Sequence, residues 1–409
     1  MHYLDANATE PLRPEARAAI AAALDVTGNP SSVHGAGRAA RRIMEDAREA
    51  LAERFGGRPA DLVFTSGGTE ADALAIHALG AGRRIVIGAT EHDAVRAAAP
   101  GAAIVPVDRA GVADLDALAA LLADGPPAMV CLMLANNETG TLQPVAEAAA
   151  LCRRHGARLH VDAVQAAGRI VVDLAALGAD SLAISSHKLG GPAGAGALLL
   201  ASDFSSISPL IAGGGQERGR RGGTPPVAVI AGFAAAALAS GGAEALQQWR
   251  DEAEWVAVAC GAVVCGAGAS RLPNTTCVAL PGVRADAQVI ALDMAGIAVS
   301  AGAACSSGKV ATSHVLAAMG LGPLAGQAIR VSLPWNAGPD DVGAFAAAYE
   351  HMVARLRNLS CCAGEVKART DEGEGDQVGT QHENAMGRPD HAHPRRCPPR
   401  PLPLRGRGS

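Results

Sequence analysis

The sequence has few aromatic residues and no cysteines at metal-binding spacing. Phenylalanine, tryptophan and tyrosine together make up 2% of the 409 residues. Nine cysteines are scattered along the chain, and only Cys361 and Cys362 are neighbours, so no C-x-x-C pair occurs. This spacing argues against a zinc site and against a disulfide framework, and we predict no metal. Reduced thiols are expected, one of which is a candidate for reactivity.

The sequence also lacks the marks of a secreted, membrane or nucleic-acid-binding protein. A net charge of -5 gives no basic surface for nucleic acid or for an anionic membrane. The first residues, MHYLDANATE, lack the basic and apolar regions of a signal peptide. The longest apolar run, Val227 to Ala239, is too short and too rich in alanine to span a bilayer. These absences predict a soluble, cytoplasmic protein.

What the chain does contain is an alternation of short apolar runs with Ala-rich segments of helical spacing. Strands are predicted at Leu62–Thr65, Arg84–Gly88, Ala103–Val107, Met129–Ala135, Arg158–Val161, Ser181–Ile184 and Ala197–Ala201. Helices are predicted between them, as at Thr69–Leu79, Leu115–Leu122 and Pro144–His155. The alternation predicts an α/β fold, in which a mostly parallel seven-stranded sheet lies between helices. The ligand site is then expected at the carboxyl ends of the strands.

The pattern changes at about residue 250. Further strands are predicted at Thr275–Leu280, Ala298–Ser300 and Ile329–Leu333, with helices around them. We therefore predict a large domain over residues 13–250 and a smaller α+β domain made of residues 1–12 and 251–359. Residues 360–409 lose all periodicity and are rich in charge, glycine and proline, which predicts a disordered tail.

Two glycines separate a predicted strand from a helix in FTSGGTEADALAI, Phe64 to Ile76. The amides of Gly68 and Thr69, together with the Thr69 hydroxyl, could hold a phosphate at the helix N-terminus. A capped helix with a glycine turn explains the same residues.

Other polar residues also follow predicted strands. Asp162 ends one strand, His92 follows another, Asn136 and Asn137 follow a third, and Lys188 lies in ISSHKLGGPAGAG. Each has an ordinary structural reading: a helix cap, a structural histidine, turn residues and a solvated lysine. Together they supply what pyridoxal phosphate requires, namely phosphate donors, an acid for the ring nitrogen, an amide, a flat stacking group and a lysine amine. Lys188 would form the Schiff base and Asp162 would keep the ring nitrogen protonated.

The sequence resembles the cysteine desulfurases, fold type I pyridoxal phosphate enzymes of the class V aminotransferase group. The resemblance covers roughly residues 3–357 through the motifs YLDANATEPL, GNPSSVHGAGRAAR, VFTSGGTEADALAI, TEHDAV, NNETG, HVDAVQAAG, SSHKLGGPAGAGAL, GGGQERGRRGGTPP, SAGAACSSGKV and AIRVSLPWN. It implies that Gly68, Thr69, Ser185 and His187 bind the cofactor phosphate, and that Thr224 reaches the same phosphate from the partner subunit of a homodimer.

The resemblance also implies roles around the ring and the substrate. His92 would stack on the ring as a catalytic residue, and Asn137 and Gln165 would contact its phenolic oxygen. Arg330 would clamp the substrate carboxylate with its bidentate guanidinium group, and Asn7 would assist it.

Cys305, in SAGAACSSGKVATSH, decides the reaction class. A single cysteine is most often a small buried hydrophobe. Here Gly302, Ser306, Ser307 and Gly308 predict an exposed, flexible segment, as needed by a thiolate that reaches a substrate sulfur and carries it outward.

The predicted reaction converts L-cysteine to L-alanine. L-cysteine takes the place of Lys188 on the cofactor, the freed Lys188 moves the α-proton, and the Cys305 thiolate attacks the substrate sulfur. Sulfur remains on Cys305 as a persulfide. A sulfur acceptor or an iron–sulfur scaffold protein would then receive it, for cluster assembly or another thiolation pathway.

Three features depart from the family pattern. Pro334 stands where glycine is common, Gly222 and Gly223 loosen the loop before Thr224, and the tail has no counterpart. His34 and Arg218 lie in shared motifs but receive no firm role.

Other functions stay open at this stage. A selenocysteine lyase or an aminotransferase would keep Lys188 and Asp162, although an aminotransferase needs no exposed cysteine. A dinucleotide-binding protein is suggested by GAGRAA, Gly35 to Ala40, but no strand precedes it. A non-catalytic scaffold would be expected to lose Lys188, Asp162 or Cys305.

Overall fold

The apolar runs form strands and the Ala-rich runs form helices. The computed structural model describes residues 1–204, 206–302 and 312–371, apart from the side chains of residues 203 and 357–371. The strands are β1 (His2–Tyr3), β2 (Leu62–Thr65), β3 (Arg84–Gly88), β4 (Ala103–Val105), β5 (Ala128–Met133), β6 (Arg158–Asp162), β7 (Ser181–Ser185), β8 (Gly196–Leu200), β9 (Val263–Val264), β10 (Thr275–Ala279), β11 (Ile297–Ala298), β12 (Ser300–Ala301) and β13 (Ala328–Ser332). The helices are α1 (Pro14–Leu24), α2 (Gly35–Arg54), α3 (Gly68–Leu79), α4 (Asp93–Ala98), α5 (Leu115–Ala123), α6 (Val145–Arg154), α7 (Leu174–Leu177), α8 (Val227–Ala239), α9 (Gln247–Ala259), α10 (Ala285–Met294), α11 (His314–Ala318) and α12 (Pro339–Asp371).

The main sheet has seven strands in the order β2-β8-β7-β6-β5-β3-β4. Strands β3 to β7 pair in parallel, whereas β8 pairs antiparallel with both β2 and β7. The mostly parallel seven-stranded α/β fold predicted from the sequence is confirmed. The antiparallel direction of β8 follows from the short glycine-rich connection after β7, which leaves no room for a crossover helix.

Helices cover both faces of this sheet. Leu199 in β8 packs into a core with Phe55, the residue that follows α2, and with Phe233 of α8. The preceding residue, Leu198, packs into a second core with Leu74 of α3. Because neighbouring strand residues point to opposite faces, both faces of β8 need apolar side chains, and the strand is a continuous apolar run.

The C-terminal part of the compact unit Met1–Met352 forms a second sheet. This sheet is antiparallel with strand order β12-β13-β10-β9, and β1 pairs with β11 beside it. The strand predicted at Ala298–Ser300 is instead two short strands, because β11 pairs with β1 while β12 pairs with β13. The division into domains at residues 12 and 250 stays a prediction.

The second unit, Val353–Ser409, is described only as far as Asp371, where α12 ends. Residues 360–371 of the predicted disordered tail are thus helical, and residues 372–409 lie outside the described residues. By length and composition, no single helix of the described chain could cross a membrane, although α8 and residues 243–259, bent by 71°, pass that test as a pair. Helix α8 packs against α1 and α2.

Candidate active site

A cavity of about 340 Å³ lies at the carboxyl ends of the parallel strands. Strands β5, β6 and β7 end at its wall with Met133, Asp162 and Ser185. The sequence-predicted site residues that line it are Asn7, Gly68, Thr69, His92, Asn137, Asp162, Gln165, Ser185, His187, Lys188 and Arg330. Parallel strands bring these residues together, because their carboxyl ends meet at one edge of the sheet. Thr224 is exposed and does not line this cavity, and Cys305 lies outside the described residues.

One end of the cavity is the N-terminus of α3. The chain leaves β2 at Thr65 and enters the helix at Gly68, and the N-cap residue Gly67 has no side chain with which to cap the helix. A Cβ atom on Gly68 would lie 2.6 Å from Cγ2 of Val164, so the turn requires glycine. Buried Ser185 lies beside Gly68. The helix amides and the Ser185 hydroxyl form an arrangement suited to a phosphate group.

Lys188 follows β7 on a single turn of 3-10 helix and lines the cavity. Its Nζ donates hydrogen bonds to the carbonyl oxygens of Asn7 (2.5 Å) and Ala8 (2.9 Å). The amine is therefore held against the N-terminal segment of the chain, at the cavity wall.

Asp162 is a buried carboxyl group at the end of β6. Its Oδ1 accepts a hydrogen bond of 2.9 Å from the amide of Val164. Burial, followed by repulsion from Asp72, raises the pKa of Asp162 to about 7. A cationic group in the cavity would favour the ionised carboxylate, because the opposite charge compensates for lost hydration.

Asp72, which also lines the cavity, and the buried His160 were not predicted from the sequence. Burial raises the pKa of Asp72 to about 7 and lowers the pKa of His160 to about 4. The 3.1 Å contact between Asp72 Oδ1 and His160 Nε2 thus joins a carboxyl group to a neutral imidazole, which also contacts Ser181 Oγ at 2.8 Å. This buried polar chain acts on Asp162 through charge, since Asp72 raises the pKa of Asp162 and His160 lowers it.

Two histidines line the cavity in different ways. His92 caps α4, where its Nδ1 accepts a hydrogen bond of 3.1 Å from the amide of Ala94. This contact fixes the ring and leaves the proton on Nε2 in the neutral form. His187 contacts Thr9 Oγ1 at 2.6 Å, and burial together with the charges of Lys188 and Arg169 lowers the pKa of His187 to about 4.

Arg330 of β13 is the buried cation of the cavity wall. Its guanidinium donates to the carbonyl oxygen of Asn137 (3.1 Å) and to Asp5 Oδ1 (2.5 Å), while Nε has no hydrogen-bond partner among the described residues. A substrate carboxylate would supply an acceptor for such a group. Asp5 was missed in the sequence, although it lies in the quoted motif YLDANATEPL, because 325 residues separate it from Arg330.

Asn7 belongs to the same wall. Its Nδ2 donates to the carbonyl oxygen of Asn137 and to Thr275 Oγ1, each at 3.0 Å. Asn137 thus holds both Arg330 and Asn7 through one carbonyl oxygen. This turn of the NNETG motif therefore fixes Asn7 and Arg330, the two residues expected to bind the substrate.

The next residue of that motif, Glu138, contacts both flanks of the segment that carries Cys305. Its Oε2 accepts a hydrogen bond of 2.6 Å from Ser313 Oγ, and a Cβ atom on Gly302 would lie 2.3 Å from the same oxygen. His314 Nε2 also lies 3.1 Å from the carbonyl oxygen of Glu91. The described ends of the segment are therefore held next to the cavity wall, and neither Glu138 nor Ser313 had been singled out from the sequence.

The GGGQERGRRGGTPP motif forms a turn outside the cavity. Glu217 and Arg218 adopt positive φ angles of 49° and 59°. Arg48 of α2 binds the buried Glu217 carboxylate with two hydrogen bonds of 2.7 and 2.8 Å, and Arg218 donates to the carbonyl oxygen of Ala60. His34 caps α2 by accepting from the amide of Gly37. The described contacts of His34 and Arg218 are thus structural.

Comparison with known proteins shows which family the chain resembles along most of its length. Residues 2–345 match the family described as aminotransferase class-V. A cysteine desulfurase of Cereibacter sphaeroides is 43% identical over 377 residues, which cover 88% of this chain and 97% of that protein. An IscS-like cysteine desulfurase of Mycobacterium tuberculosis is 38% identical and covers 89% of this chain and 99% of its own length. The X-ray structure of a NifS-like protein from Rickettsia africae superposes with a TM-score of 0.79 at 35% identity, covering 86% of this chain and 99% of the other.

Proposed function

The chain belongs to the class-V aminotransferase family and is a cysteine desulfurase within it, and from that premise we propose how its cavity carries out the reaction. Pyridoxal phosphate is held at the strand ends, L-cysteine is converted to L-alanine, and the sulfur is left as a persulfide on Cys305. The observation that carries the proposal is the convergence of Lys188, Asp162 and Arg330 on one cavity at the N-terminus of α3.

The donor set suits pyridoxal phosphate. The amides of Gly68 and Thr69 and the hydroxyl of Ser185 suit its phosphate, where His187 would also contact it. Asp162 suits the protonated ring nitrogen, since a positive partner removes the unfavourable burial of its charge. When bound, the cofactor supplies an electron-withdrawing ring for the bonds around the substrate α-carbon.

The remaining cavity residues orient the ring and the substrate. His92 would stack on the ring, where its capping contact with Ala94 prevents rotation. Asn137 and Gln165 would face the ring hydroxyl. Arg330 would bind the substrate carboxylate, and Asn7 would support it, because both are held by Asn137.

Lys188 has two tasks in this proposal. Its amine would hold the cofactor before the substrate arrives, and once free it would accept the α-proton of L-cysteine and return a proton to the product. The carbonyl oxygens of Asn7 and Ala8 accept its N–H groups, which places the amine at the cavity wall.

Cys305 takes the sulfur. Its thiolate attacks the sulfur of the bound L-cysteine, so that an S–S bond forms as the C–S bond breaks. The electron pair of the broken bond stays with the substrate carbon, which is protonated to give L-alanine. Glu138, Ser313 and His314 hold the described flanks of the Cys305 segment near Arg330.

The persulfide would then pass to an acceptor. The IscS-like and NifS-like names of the relatives support delivery of sulfur to an iron–sulfur scaffold protein. We propose that the enzyme acts in the cytoplasm as a homodimer, in which Thr224 completes the phosphate site of the partner subunit.

The test measures sulfide and alanine together, with pyridoxal phosphate, L-cysteine and a thiol reductant. Equal amounts of both products are expected. In C305S the mass gain of one sulfur atom at residue 305 should vanish while the absorption band of the bound cofactor stays. The matched control is C260S, which removes a partly exposed cysteine thiol of the same chain and should retain both products. Persulfide formation that survives in C305S would contradict the assignment.

A further inference from the structure

Gln165 lines the cavity, and its side-chain amide has two ends of opposite character. The Nε2 end donates hydrogen bonds and the Oε1 end accepts them. In the proposed function Gln165 faces the ring hydroxyl of the cofactor, which is ionised in the visible-absorbing form. Only the Nε2 end can stabilise that oxygen, so the direction of the amide matters.

Neighbouring groups fix that direction. Arg169 NH1 lies 2.8 Å from Gln165 Oε1, and an arginine offers only donors, so the atom facing it must be the oxygen. On the other side, Gln165 Nε2 lies 3.1 Å from the carbonyl oxygen of Asn7, which can only accept. Two independent contacts therefore give the same orientation.

The donor end points to where a cofactor would need it. The carbonyl oxygen of Asn7 that accepts from Gln165 Nε2 also accepts from Lys188 Nζ. The two nitrogens thus converge on one atom. In pyridoxal phosphate the hydroxyl and the aldehyde that would join lysine are on adjacent ring carbons, so a donor beside Lys188 Nζ would be placed for the hydroxyl oxygen.

Arg169 is itself held rigidly. It is buried, and NH1 also donates to the carbonyl oxygen of Gln165 at 2.8 Å. Its NH2 donates to the carbonyl oxygen of Ala6 (3.2 Å) and to Glu10 Oε1 (3.4 Å). Glu10 supplies the countercharge that a buried guanidinium requires. Arg169 does not line the cavity, so its hydrogen bonds reach the cofactor site through Gln165, while its charge also lowers the pKa of His187.

We infer that Arg169 is a positioning residue that turns the Gln165 amide so that its N–H, and not its oxygen, faces the ring hydroxyl of the cofactor. Without Arg169, Gln165 Oε1 loses the donor that holds it on this side, and the amide can turn by about 180°. An amide oxygen turned toward an ionised hydroxyl would repel it. The inference rests on the proposed function, because it assigns Gln165 to that hydroxyl.

The test is the visible absorption spectrum of the enzyme reconstituted with pyridoxal phosphate, recorded across pH. A hydrogen bond from an N–H group favours the form with an ionised hydroxyl, which absorbs at longer wavelength, over the neutral form. Loss of this charge-assisted bond should change the ratio of the two bands by about tenfold.

Three variants separate orientation from buried charge. Q165L removes the N–H donor, so its spectrum defines the full change in band ratio expected when the hydrogen bond is absent. R169M/E10Q removes the orienting guanidinium without leaving a buried charge, and should reproduce that change. E10Q alone leaves Arg169 NH1 on Gln165 Oε1 and should keep the wild-type spectrum, although the loss of the countercharge lowers the free energy of unfolding. Adding Q165L to R169M/E10Q should cause no further change, since both remove the same contact.

The outcomes are distinct. A wild-type spectrum in R169M/E10Q, together with a changed one in Q165L and normal thermal unfolding of both, would overturn the role of Arg169. An unchanged spectrum in Q165L would overturn the inference at Gln165 itself, while sulfide and alanine release would still report the proposed reaction. Failure of the wild-type protein to develop any cofactor band would contradict the proposed function instead.

Discussion

Asp162 shows how one buried carboxyl group can serve a cofactor. Burial raises its pKa from 3.8 to about 7, with Asp72 as the second cause. The folded protein therefore holds a proton at Asp162 that the unfolded chain has released. Stability from this group is complete below pH 4 and is lost as pH rises toward 7. A cofactor that brings a positive ring nitrogen reverses this loss.

We predict that Asp162→Asn removes part of the pH dependence of folding. Asparagine stays neutral, so the cofactor-free variant should gain stability relative to wild type between pH 4 and pH 8, by about 2–4 kcal/mol. Urea unfolding of both proteins at the two pH values measures this gain.

The control for this prediction is D25N, at an exposed carboxyl group after α1 that should show no such gain. Adding pyridoxal phosphate at pH 8 should raise the free energy of unfolding of wild type more than that of D162N, so that wild type becomes the more stable protein. A D162N protein whose stability follows wild type at every pH would contradict the raised pKa of Asp162.

At the scale of elements, a buried ion pair joins the turn of residues 216–219 to α2 and β2. Arg48 in α2 and Glu217 in the turn have side chains that are 4% and 2% exposed. Glu217 also accepts a hydrogen bond of 2.9 Å from the amide of Phe64 in β2. The pair thereby joins a helix, a strand and the turn that leads to Thr224. It also accompanies the positive φ angle of Glu217, a conformation that a non-glycine residue adopts only when its surroundings impose it.

Arg48→Met should lower the free energy of unfolding by about 3–5 kcal/mol, because the buried Glu217 carboxylate loses the guanidinium that binds both of its oxygens. The double variant R48M/E217Q should lose less. The matched control is R42M on the same helix, where the ion pair with Asp46 is exposed and a change below about 1 kcal/mol is expected. Equal losses in R48M and R42M, measured by urea unfolding, would show that the buried pair contributes nothing specific.

Elements whose determinants are local were predictable from the sequence. Strands β2 and β3 were predicted at Leu62–Thr65 and Arg84–Gly88 and are found there, because short apolar runs ending at polar or glycine residues define them. The split at Val299 was not predictable, because it reflects a change of pairing partner from β1 to β13.

The site residues also divide into those that local sequence could place and those that depend on distant contacts. Polar residues after parallel strands, such as Asp162 and Lys188, could be placed at one edge from topology alone. Asp5 and Glu138 could not, because their contacts join distant parts of the chain: 325 residues separate Asp5 from Arg330 and 175 separate Glu138 from Ser313. A single sequence carries no local signal for such pairs.

At the scale of the whole molecule, the position of Thr224 bears on the number of subunits in a working site. In the described chain Thr224 is exposed and lies outside the cavity that contains Lys188. If Thr224 serves the phosphate of a partner subunit, each site needs two chains. A C2 dimer meets this need symmetrically, since each subunit then completes the site of the other.

Two inactive variants should restore activity when they share a dimer. K188A lacks the lysine, and T224D places a carboxylate against the phosphate. Random pairing on coexpression makes half of the dimers mixed, and each mixed dimer has one site with both residues intact, so about a quarter of wild-type activity is expected. If Thr224 acted within its own subunit, no mixed site would be intact and activity would stay absent.

The converse mixture provides the control that settles which geometry holds. Wild type coexpressed in equal amount with the double variant K188A/T224D should give about a quarter of wild-type activity when Thr224 acts across subunits, because every mixed dimer then has a defect in each site. Action within one subunit predicts about a half, because the wild-type subunit of each mixed dimer keeps its own site. Compared with action within one subunit, action across subunits raises the activity of the first mixture and lowers the activity of the second. A general loss of folding or of cofactor would lower both activities and so cannot imitate this pair of results.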